Sequence, residues 1–393
     1  MRVLFLLGIG FDEQTPSLHL MSSIIRECIK DNIFVHVIVR SQRGKKQNLP
    51  REFLDSSFFK YDVVYTNNVK KNNFILRYIN EVKYAYRCRK QYSTIENVDV
   101  TFVQSNTVSY FMNRLIKKTL QSQIVFNVQD IFPNNLYELK KGRINTVLYG
   151  FLLSLQKKGY YLSDKIITIS DDMKETLVSI GVEKEKINVI YNWSYSDSVI
   201  NTKKQDNIFY KSHFSNETFN VVYAGNVGVV QNVEIILRAS RVLEFNQAIH
   251  FYIIGNGSKK DFLIKKYKNE NVTFIDSQPM ETAESIYSSA DLLIIPLAQG
   301  IIKTALPSKT ATCLRTQVPI IFCIDKESIF SKLVSKESGV YVCDTNSEIE
   351  LADCISSLFN NRQIVNERKI VSNLMSSDEN PTKYVEVLRG LKQ

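Results

Sequence analysis

The chain has 393 residues, of which 44% are hydrophobic and 23% charged, and its net charge is +10. This length exceeds one ordinary core and suits two domains of roughly 150–200 residues each. No apolar run reaches the about 18 residues of a membrane span, and the six cysteines form neither a C-x-x-C motif nor a metal spacing with the four histidines. We therefore expect no transmembrane helix, no disulfide and no zinc site.

The charge is divided unevenly along the chain. Residues 1–200 contain 28 Lys and Arg against 19 Asp and Glu, whereas residues 201–393 contain 22 against 21. The first half therefore carries +9 and the second +1. We expect any anionic partner that this charge serves to bind the first half.

The first half alternates strand and helix signals. The apolar run Val3–Leu7 stops at Gly8 without a small-residue cleavage site, so it predicts a buried strand rather than a signal peptide. Thr15 and Pro16 mark the start of a helix. Further strands are predicted at Phe34–Val39, Asp62–Thr66, Val98–Gln104, Gln123–Gln129, Lys165–Ile169 and Ile187–Tyr191.

Two later helices are predicted in this half. The first carries its apolar residues on one face and is expected to pack on the sheet with Ile144, Val147, Leu148, Phe151, Leu152 and Leu155. The second should begin with a capping box of Asp172 and Glu175 and end at Gly181.

Residues 196–218, rich in Ser, Asn, Lys and Asp, are predicted to form a linker. The alternation then restarts with strands at Phe219–Ala224, His250–Ile254, Val272–Ile275, Leu292–Ile295 and Pro319–Cys323. Strands separated by helices predict parallel sheets with helices on both faces. We therefore predict an α/β protein of two Rossmann-like, doubly wound domains whose loops face a central cleft.

The loop after Leu292–Ile295 predicts an anion site. It runs through Gly300 and Lys303 to Pro307-Ser308-Lys309, where Ser308 is a favoured N-cap for the next helix. Free backbone N–H groups, the positive end of the helix dipole and the lysine charge together suit a phosphate. The alternative interpretation is an ordinary strand-to-helix connection.

Three glycine loops follow predicted strands: Gly8-Ile9-Gly10, Gly225-Asn226-Val227-Gly228 and Gly255-Asn256-Gly257. Such loops let the backbone approach a ligand closely. However, Glu13 and Lys260 replace the third glycine of the dinucleotide fingerprint. The pattern therefore favours a nucleoside diphosphate over a nicotinamide cofactor.

Several segments also occur in a characteristic order: Tyr161–Ser170, Gly181-Val182, Lys186–Asn192, Val222–Asn226, Ile253–Gly257, Phe274-Ile275 and Ala290–Leu292. In this order they resemble the family 4 glycosyltransferases. Gln129–Pro133, Pro307–Lys309 and Gln317–Ile320 resemble the bacterial branch that builds capsules, exopolysaccharides and O-antigens. The resemblance covers nearly the whole chain.

The resemblance implies the GT-B fold and transfer with retention of the anomeric configuration. It implies an acceptor-binding domain at 1–195, a donor-binding domain at 219–375 and a C-terminal helix at 376–393 that packs toward the first domain. No D-x-D triplet is present to hold a metal, so we expect no metal site and no cofactor, with protein groups neutralising the diphosphate.

The sequence departs from the family pattern at two places. Asn226 and Gln231 stand where many members have an Arg-Lys pair, and Thr304 and Thr312 stand where they have two glutamates. A threonine hydroxyl cannot bind a ribose diol as a carboxylate does. UDP is favoured as donor nucleotide over dTDP or GDP, but dTDP, whose sugar lacks the 2′-hydroxyl, becomes a rival. Lys309 or Lys303 is expected to carry more of the diphosphate charge.

We assign candidate site residues on this basis. The catalytic candidates are Lys309 and Asp130, which follows a strand and could orient or deprotonate the acceptor hydroxyl, although a cap or turn would also explain Asp130. The acceptor-side candidates are Gly10, Phe11 and His19, of which His19 also suits an ordinary helix surface. The donor-binding candidates are Gly225, Asn226, Gly228, Gln231, Gly255, Gly257, Asp276, Ser277, Gln278, Gly300, Lys303, Pro307, Ser308 and Thr312.

Residues 70–92 interleave basic and aromatic side chains, which suits either an anionic membrane surface or a helix with one solvated and one core face. Nucleic acid is disfavoured because no recognition motif is present. We predict a cytoplasmic enzyme, peripherally bound to the inner membrane face, that transfers sugar to a lipid-linked oligosaccharide. The alternatives are an inactive GT-B scaffold for a partner glycosyltransferase and a sugar-nucleotide epimerase.

Overall fold

The computed structural model describes residues 1–13, 15–66, 74–134, 146–195, 200, 206–362 and 364–391. Their contacts divide the chain into two compact units, Met1–Asn192 with Asp378–Gln393 and Trp193–Ser377. Across these described ranges, no helix has the length and apolar character needed to cross a membrane.

The first unit is built on a sheet of seven parallel strands in the order β3-β2-β1-β4-β5-β6-β7. The strands are β1 Arg2–Leu6, β2 Phe34–Ser41, β3 Phe59–Tyr65, β4 Val100–Gln104, β5 Gln123–Val128, β6 Lys165–Thr168 and β7 Ile187–Val189. Strand β1 lies between β2 and β4, and Val3 to Leu6 form an uninterrupted buried run, as is typical of a parallel strand that is covered on both faces. The chain changes its direction across the sheet between β1 and β4.

The helices that cover this sheet are α1 Pro16–Lys30, α2 Arg51–Leu54, α3 Phe74–Tyr92, α4 Ser109–Thr119, α5 Thr146–Tyr161 and α6 Asp171–Ser179. As predicted, Thr15 caps α1 by accepting the N–H of Leu18. The predicted capping box of α6 is wrong, because the cap is Ser170, whose hydroxyl accepts the N–H of Met173.

The predicted packing of α5 is also wrong over its first two turns. Val147, Leu148 and Phe151 are exposed, whereas Leu152 and Tyr160 are buried. Gly159 is buried as well, because α4 approaches so closely that an added Cβ would lie 2.2 Å from the hydroxyl oxygen of Ser109. The close contact of Gly159 with α4 thus determines which face of α5 is buried, although the apolar stripe has larger side chains. Ile144 lies outside the described residues.

Helix α3 has one core face and one solvated face. Tyr84, Cys88 and Tyr92 are buried, and the Tyr84 hydroxyl donates to the carbonyl of Leu7 at 2.7 Å. The basic side chains Lys83, Arg87, Arg89 and Lys90 are exposed. About half of the aromatic residues in this basic segment therefore belong to the core, and residues 70–73 lie outside the described residues.

The second unit contains a six-stranded parallel sheet in the order β10-β9-β8-β11-β12-β13. Its strands are β8 Phe219–Ala224, β9 Ile249–Ile254, β10 Val272–Ile275, β11 Leu292–Pro296, β12 Ile320–Cys323 and β13 Val340–Cys343. Its helices are α7 Ile208–His213, α8 Glu234–Val242, α9 Lys260–Lys266, α10 Ala283–Ser289, α11 Thr310–Arg315, α12 Ile329–Val334, α13 Glu348–Asn360 and α14 Lys369–Leu374. Here the chain changes direction between β8 and β11.

Part of the predicted linker is a helix. Asn207 caps α7, and its amide donates to the carbonyl of Ser285 at 2.7 Å. Phe209 and Phe214 are buried, and the Phe214 ring packs against that of Tyr252 at 4.3 Å between ring centres, tilted by 38°. Residues 206–218 therefore contribute to the core of the second unit.

The last helix, α15 Glu379–Gly390, belongs to the first unit. The Asn380 amide donates to the carbonyl of Tyr191 at 2.8 Å, and the Tyr384 hydroxyl bonds the side-chain oxygen of Asn127 at 3.2 Å. Tyr384 and Leu388 are 1% and 0% exposed. This helix therefore packs into the same core as the first strands of the chain.

Candidate functional site

Lys309 lies at the point where the second sheet changes direction. It follows β11 in sequence, but its ammonium donates to the carbonyl of Ala224 at the end of β8, at 2.8 Å. The same nitrogen is 3.8 Å from the centre of the Tyr223 ring. Ligands of doubly wound sheets bind beyond the strand ends at such a switch point, so Lys309 is placed where an anionic ligand would bind.

The surroundings of the Lys309 ammonium favour its deprotonation. Burial lowers the pKa of Lys309 to about 8, because a carbonyl dipole and an aromatic face replace only part of the lost hydration. No carboxylate pairs with Lys309 among the described residues. A diphosphate would therefore supply the counter-charge that the site lacks.

Gly225 makes room for this lysine. Its φ of +150° suits glycine, and an added Cβ would lie 3.0 Å from the Lys309 ammonium. A side chain at position 225 would thus displace the cation as well as strain the backbone.

The predicted N-cap at Ser308 is wrong. Helix α11 begins at Thr310, its cap is Lys309, and no side chain bonds the first N–H groups. Ser308 is exposed and Pro307 is half-buried. The helix has only six residues, so the lysine charge, rather than a capped helix terminus, is the main cationic feature of this loop.

The glycine loops after β8 and β9 pack directly on each other. A Cβ at Gly255 would lie 1.9 Å from the carbonyl oxygen of Gly225, and one at Gly257 would lie 2.3 Å from that of Val227. These two glycines therefore serve loop-to-loop contact, which the sequence did not reveal. Gly228 is confined by the Asn226 and Gln231 side chains, which bond each other at 2.9 Å.

The loop after β11 is anchored by residues that sequence reasoning missed. The Gly300 N–H donates to the carboxylate of Asp325 at 2.8 Å, and the Ala298 N–H donates to the carbonyl of Val230 at 2.8 Å. Thr345 donates to the carbonyl of Leu297, and Asn232 donates to that of Thr345 at 2.9 Å. Asp325 and Thr345 each follow a strand end, which is the signal that could have found them.

The remaining cationic and hydroxyl candidates in this region have different environments. Lys303 is exposed on a single 3-10 turn, Ile301–Lys303. Thr304 is buried, and its hydroxyl donates to the carbonyl of Ile301 at 3.1 Å. Thr312 is 8% exposed within α11. A buried threonine bonded to its own backbone cannot replace a ribose-binding glutamate.

Asp276, Ser277 and Gln278 follow β10 in an accessible loop. The Lys260 ammonium donates to the Asp276 carboxylate at 2.7 Å and to the Asn256 side chain at 2.8 Å. This ion pair holds the pKa of Asp276 below its usual range. Lys260, another residue missed from sequence, thus joins the loops after β9 and β10.

Two of the three acceptor-side candidates have structural explanations. Gly10 is buried where a Cβ would lie 2.8 Å from the carbonyl oxygen of Arg40. The Phe11 ring is 3% exposed in a cluster with Phe53, Phe59 and Tyr61, so it is a core residue. His19 is half-buried on α1.

Asp130 lies just beyond β5 with its side chain open to solvent. The protein that surrounds it displaces enough water to raise the pKa of Asp130 to about 6. Its carbonyl accepts the Ser105 hydroxyl at 3.5 Å, while its carboxylate forms no hydrogen bond or ion pair within the described ranges. As far as the described residues show, the carboxylate is thus available to a ligand, and no capping role occupies it.

The structure places the candidates in two groups. Asp130, Gly10, Phe11 and His19 belong to the first unit, and Lys309 with all donor-binding candidates belongs to the second. Among the described residues, no group of three or more His, Cys, Asp or Glu side chains is arranged to bind a metal ion.

Comparison with known proteins identifies the class to which this fold and these loops belong. The family model described as Glycosyltransferase Family 4 matches residues 20–193, and that described as Glycosyl transferases group 1 matches residues 218–361. The chain belongs to the family 4 glycosyltransferases and has their GT-B fold.

Individual relatives are distant in sequence. The chain is 24% identical to the probable glycosyltransferase WbjE of Pseudomonas aeruginosa over 300 residues, or 73% of each chain. It resembles HepE of Anabaena in complex with UDP with a TM-score of 0.70 at 13% identity, over 99% of this chain and 100% of that one. It resembles sucrose-phosphate synthase of Thermosynechococcus elongatus with a TM-score of 0.77 at 11% identity, over 100% and 99%.

Proposed function

We propose that the protein transfers a sugar from a nucleoside diphosphate to a hydroxyl of a lipid-linked oligosaccharide, with retention and without a metal, in the synthesis of a bacterial surface polysaccharide. The observation that carries this proposal is the ammonium of Lys309 at the switch point of the second sheet, beside Gly225 and without an acidic partner among the described residues. Glycosyl transfer itself follows from the family.

Lys309 stabilises the leaving group in this proposal. As the acceptor oxygen bonds to the anomeric carbon, the bond from that carbon to the diphosphate breaks and negative charge develops on the departing oxygen. A preorganised ammonium at that point lowers the energy of the transition state more than that of the bound donor. The acceptor proton passes to the departing phosphate on the same face of the sugar.

Asp130 orients the acceptor in the same scheme. With a pKa of about 6, its carboxylate is mostly ionised at neutral pH and accepts a hydrogen bond from the attacking hydroxyl. The carboxylate has no hydrogen bond or ion pair to the described residues, which supports this role. The exposed position of the carboxylate suits an acceptor that arrives from solvent or a membrane surface.

UDP is the proposed donor nucleotide. The structurally similar HepE was solved with UDP and with UDP-glucose. In this chain Asp276, Ser277 and Gln278 lie in the loop after β10, where exposed polar groups are available to a base. The loss of both family glutamates, at Thr304 and Thr312, keeps dTDP as the rival donor.

A thermal-shift panel tests the site directly. UDP, dTDP and GDP are each added to the full chain with magnesium or with EDTA, and UDP is expected to raise the Tm most and equally in both. Lys309→Ala should abolish the shift, whereas the exposed control Lys303→Ala should retain most of it. Stabilisation that requires the metal would overturn the metal-free scheme.

A second candidate function is an inactive GT-B subunit that scaffolds a partner enzyme. It is favoured by one observation, the burial of the Thr304 hydroxyl against its own backbone where the family has a glutamate. Hydrolysis or transfer of a UDP-sugar by the purified chain alone would exclude it. Donor binding without any turnover would support it.

We also propose that the protein acts at the cytoplasmic face of the membrane, where it binds peripherally. The support is the +9 charge of residues 1–200 and the exposed Lys83, Arg87, Arg89 and Lys90 on α3. Each basic residue near an anionic surface contributes about 1 kcal/mol, so such a face binds at low salt and releases at high salt.

A further inference from the structure

Helix α5 presents an apolar stripe to solvent. Val147 is 79% exposed, Phe151 59% and Tyr161 77%, and their spacing with Ser154 and Lys158 places all five on one helix face. Leu148, 48% exposed, lies beside them. Exposed apolar residues that adjoin on one face indicate an interaction site, since isolated ones would be scattered.

The same face ends at a basic cavity. A cavity of about 310 Å³ lies between the C-terminal half of α5 and the loop from α6 to β7. Lys157, Lys158 and Lys186 line it, and the Lys186 ammonium is 5.5 Å from the centre of the Tyr161 ring. Glu183 pairs with Lys186 at 3.0 Å, whereas Lys157 and Lys158 form no ion pair within the described ranges.

Neighbouring α4 extends the basic rim. The Lys158 ammonium is 5.8 Å from the centre of the Tyr110 ring, and the exposed Arg114 donates to the Tyr110 hydroxyl at 3.2 Å. Apolar side chains therefore lie at one end of this surface, and cations with aromatic rings lie at the other. We call the apolar stripe and the cavity together the α5 face.

We propose that the α5 face binds the surface of an anionic phospholipid bilayer, with Val147, Leu148 and Phe151 entering the acyl boundary and the lysine cavity holding a lipid phosphate. The inference rests on the proposed membrane location and specifies the surface that serves it. It places the main membrane contact on α5 and not on α3, because about half of the aromatic residues of α3 belong to the core.

The chemistry of the face favours a lipid surface over a protein partner. Apolar residues beside lysines match the two layers of a membrane interface, acyl chains below and phosphates above. The local charge complements an anionic headgroup, since Glu183 is the one acidic side chain among the described residues that line the cavity. Lysine stems reach from an apolar boundary to the phosphates while their ammonium groups stay hydrated.

Vesicle co-sedimentation of the full chain tests the proposal with matched substitutions. Phe151→Glu is compared with Phe262→Glu, because Phe262 on α9 is 50% exposed. Lys157→Glu with Lys158→Glu is compared with Lys265→Glu and Lys268→Glu, which change the net charge equally at exposed positions of the second unit. Phosphatidylglycerol-containing and pure phosphatidylcholine vesicles provide the two surfaces.

Phe151→Glu should lower partitioning to the anionic vesicles about tenfold, the effect of removing one inserted aromatic side chain. The double lysine variant should partition less to the anionic vesicles at low salt, and the difference should be smaller at high salt. Both control variants should bind within about twofold of the unsubstituted protein. Phe151→Trp emission should shift to the blue on anionic vesicles, and Phe262→Trp emission should not.

Three results would overturn the proposal: equal loss in the control variants, equal binding to neutral vesicles, or a Phe151-dependent dimer in sedimentation velocity. Stabilisation by inorganic phosphate, with vesicle binding unchanged in the lysine variant, would identify a soluble phosphate as the ligand instead.

Sugar transfer is measured separately. Phe151→Glu should keep its kcat on a detergent-dispersed acceptor and lose rate on a vesicle-embedded one. A protein that transfers no sugar but still binds vesicles through α5 would refute only the proposed function.

Discussion

The position of the Lys309 ammonium depends on two strands that are distant in sequence, β8 and β11. Its ammonium is held by Ala224 and Tyr223 at the end of β8, 85 residues away in sequence. The sequence predicted a lysine in a phosphate loop but could not show this contact, because the strand order that brings β8 beside β11 is a property of the folded sheet. The same limit hid the contacts of Lys260, which joins the loops after β9 and β10.

Lys309→Ala should lower kcat/KM by about 2–4 kcal/mol in transition-state terms, since it removes one preorganised charge from the leaving group. Steady-state kinetics with the UDP-sugar measure the effect. Lys303→Ala is the matched control and should cost less, because Lys303 is exposed on its 3-10 turn. A larger loss at Lys303 would transfer the role to that residue.

The pH dependence of kcat/KM should have two limbs. Activity should fall below about pH 6, because protonation of Asp130 removes the negative charge that orients the acceptor hydroxyl, and above about pH 8, because Lys309 loses its charge. Asp130→Asn should remove the acid limb and keep the alkaline one. An unchanged acid limb in this variant would show that another group titrates there.

Helix α5 shows how packing overrides an amphipathic pattern. Val147, Leu148 and Phe151 of the apolar stripe predicted to face the sheet are exposed instead, because the close approach of α4 requires Gly159 inside. The twelve predicted strands are all present, since buried parallel strands have long apolar runs. β13, a four-residue strand at the sheet edge with two half-buried positions, was not predicted.

Two glycines of α5 should respond oppositely to alanine. Gly150 is exposed with no atom within 4 Å of an added Cβ, so Gly150→Ala should stabilise the protein by about 0.5–1 kcal/mol. Gly159→Ala should destabilise it by about 1–3 kcal/mol, because its Cβ would overlap Ser109. Urea unfolding followed by circular dichroism measures both. Equal effects would mean that α4 and α5 are not in close contact.

The first unit combines both ends of the chain. Tyr384, 1% exposed, packs near Phe102 at 6.1 Å between ring centres and bonds Asn127. Tyr384→Ala should cost about 3–5 kcal/mol through the cavity it creates, whereas Tyr384→Phe should cost about 1 kcal/mol. Hydrogen exchange should accelerate in β4 and β5 and stay unchanged in β8 and β11. Uniform acceleration in both sheets would show that the units unfold together.

The place of α15 in the chain has a consequence for biosynthesis. When the ribosome has finished the entire second unit, the first still lacks α15, so the surface that packs against Tyr384 and Leu388 stays exposed in the nascent protein until residues 379–390 have been made. A truncated product that ends before residue 378 would contain a complete second sheet but an unfinished first one. Premature release therefore yields a chain recognisable to proteases and chaperones by its amino-terminal half.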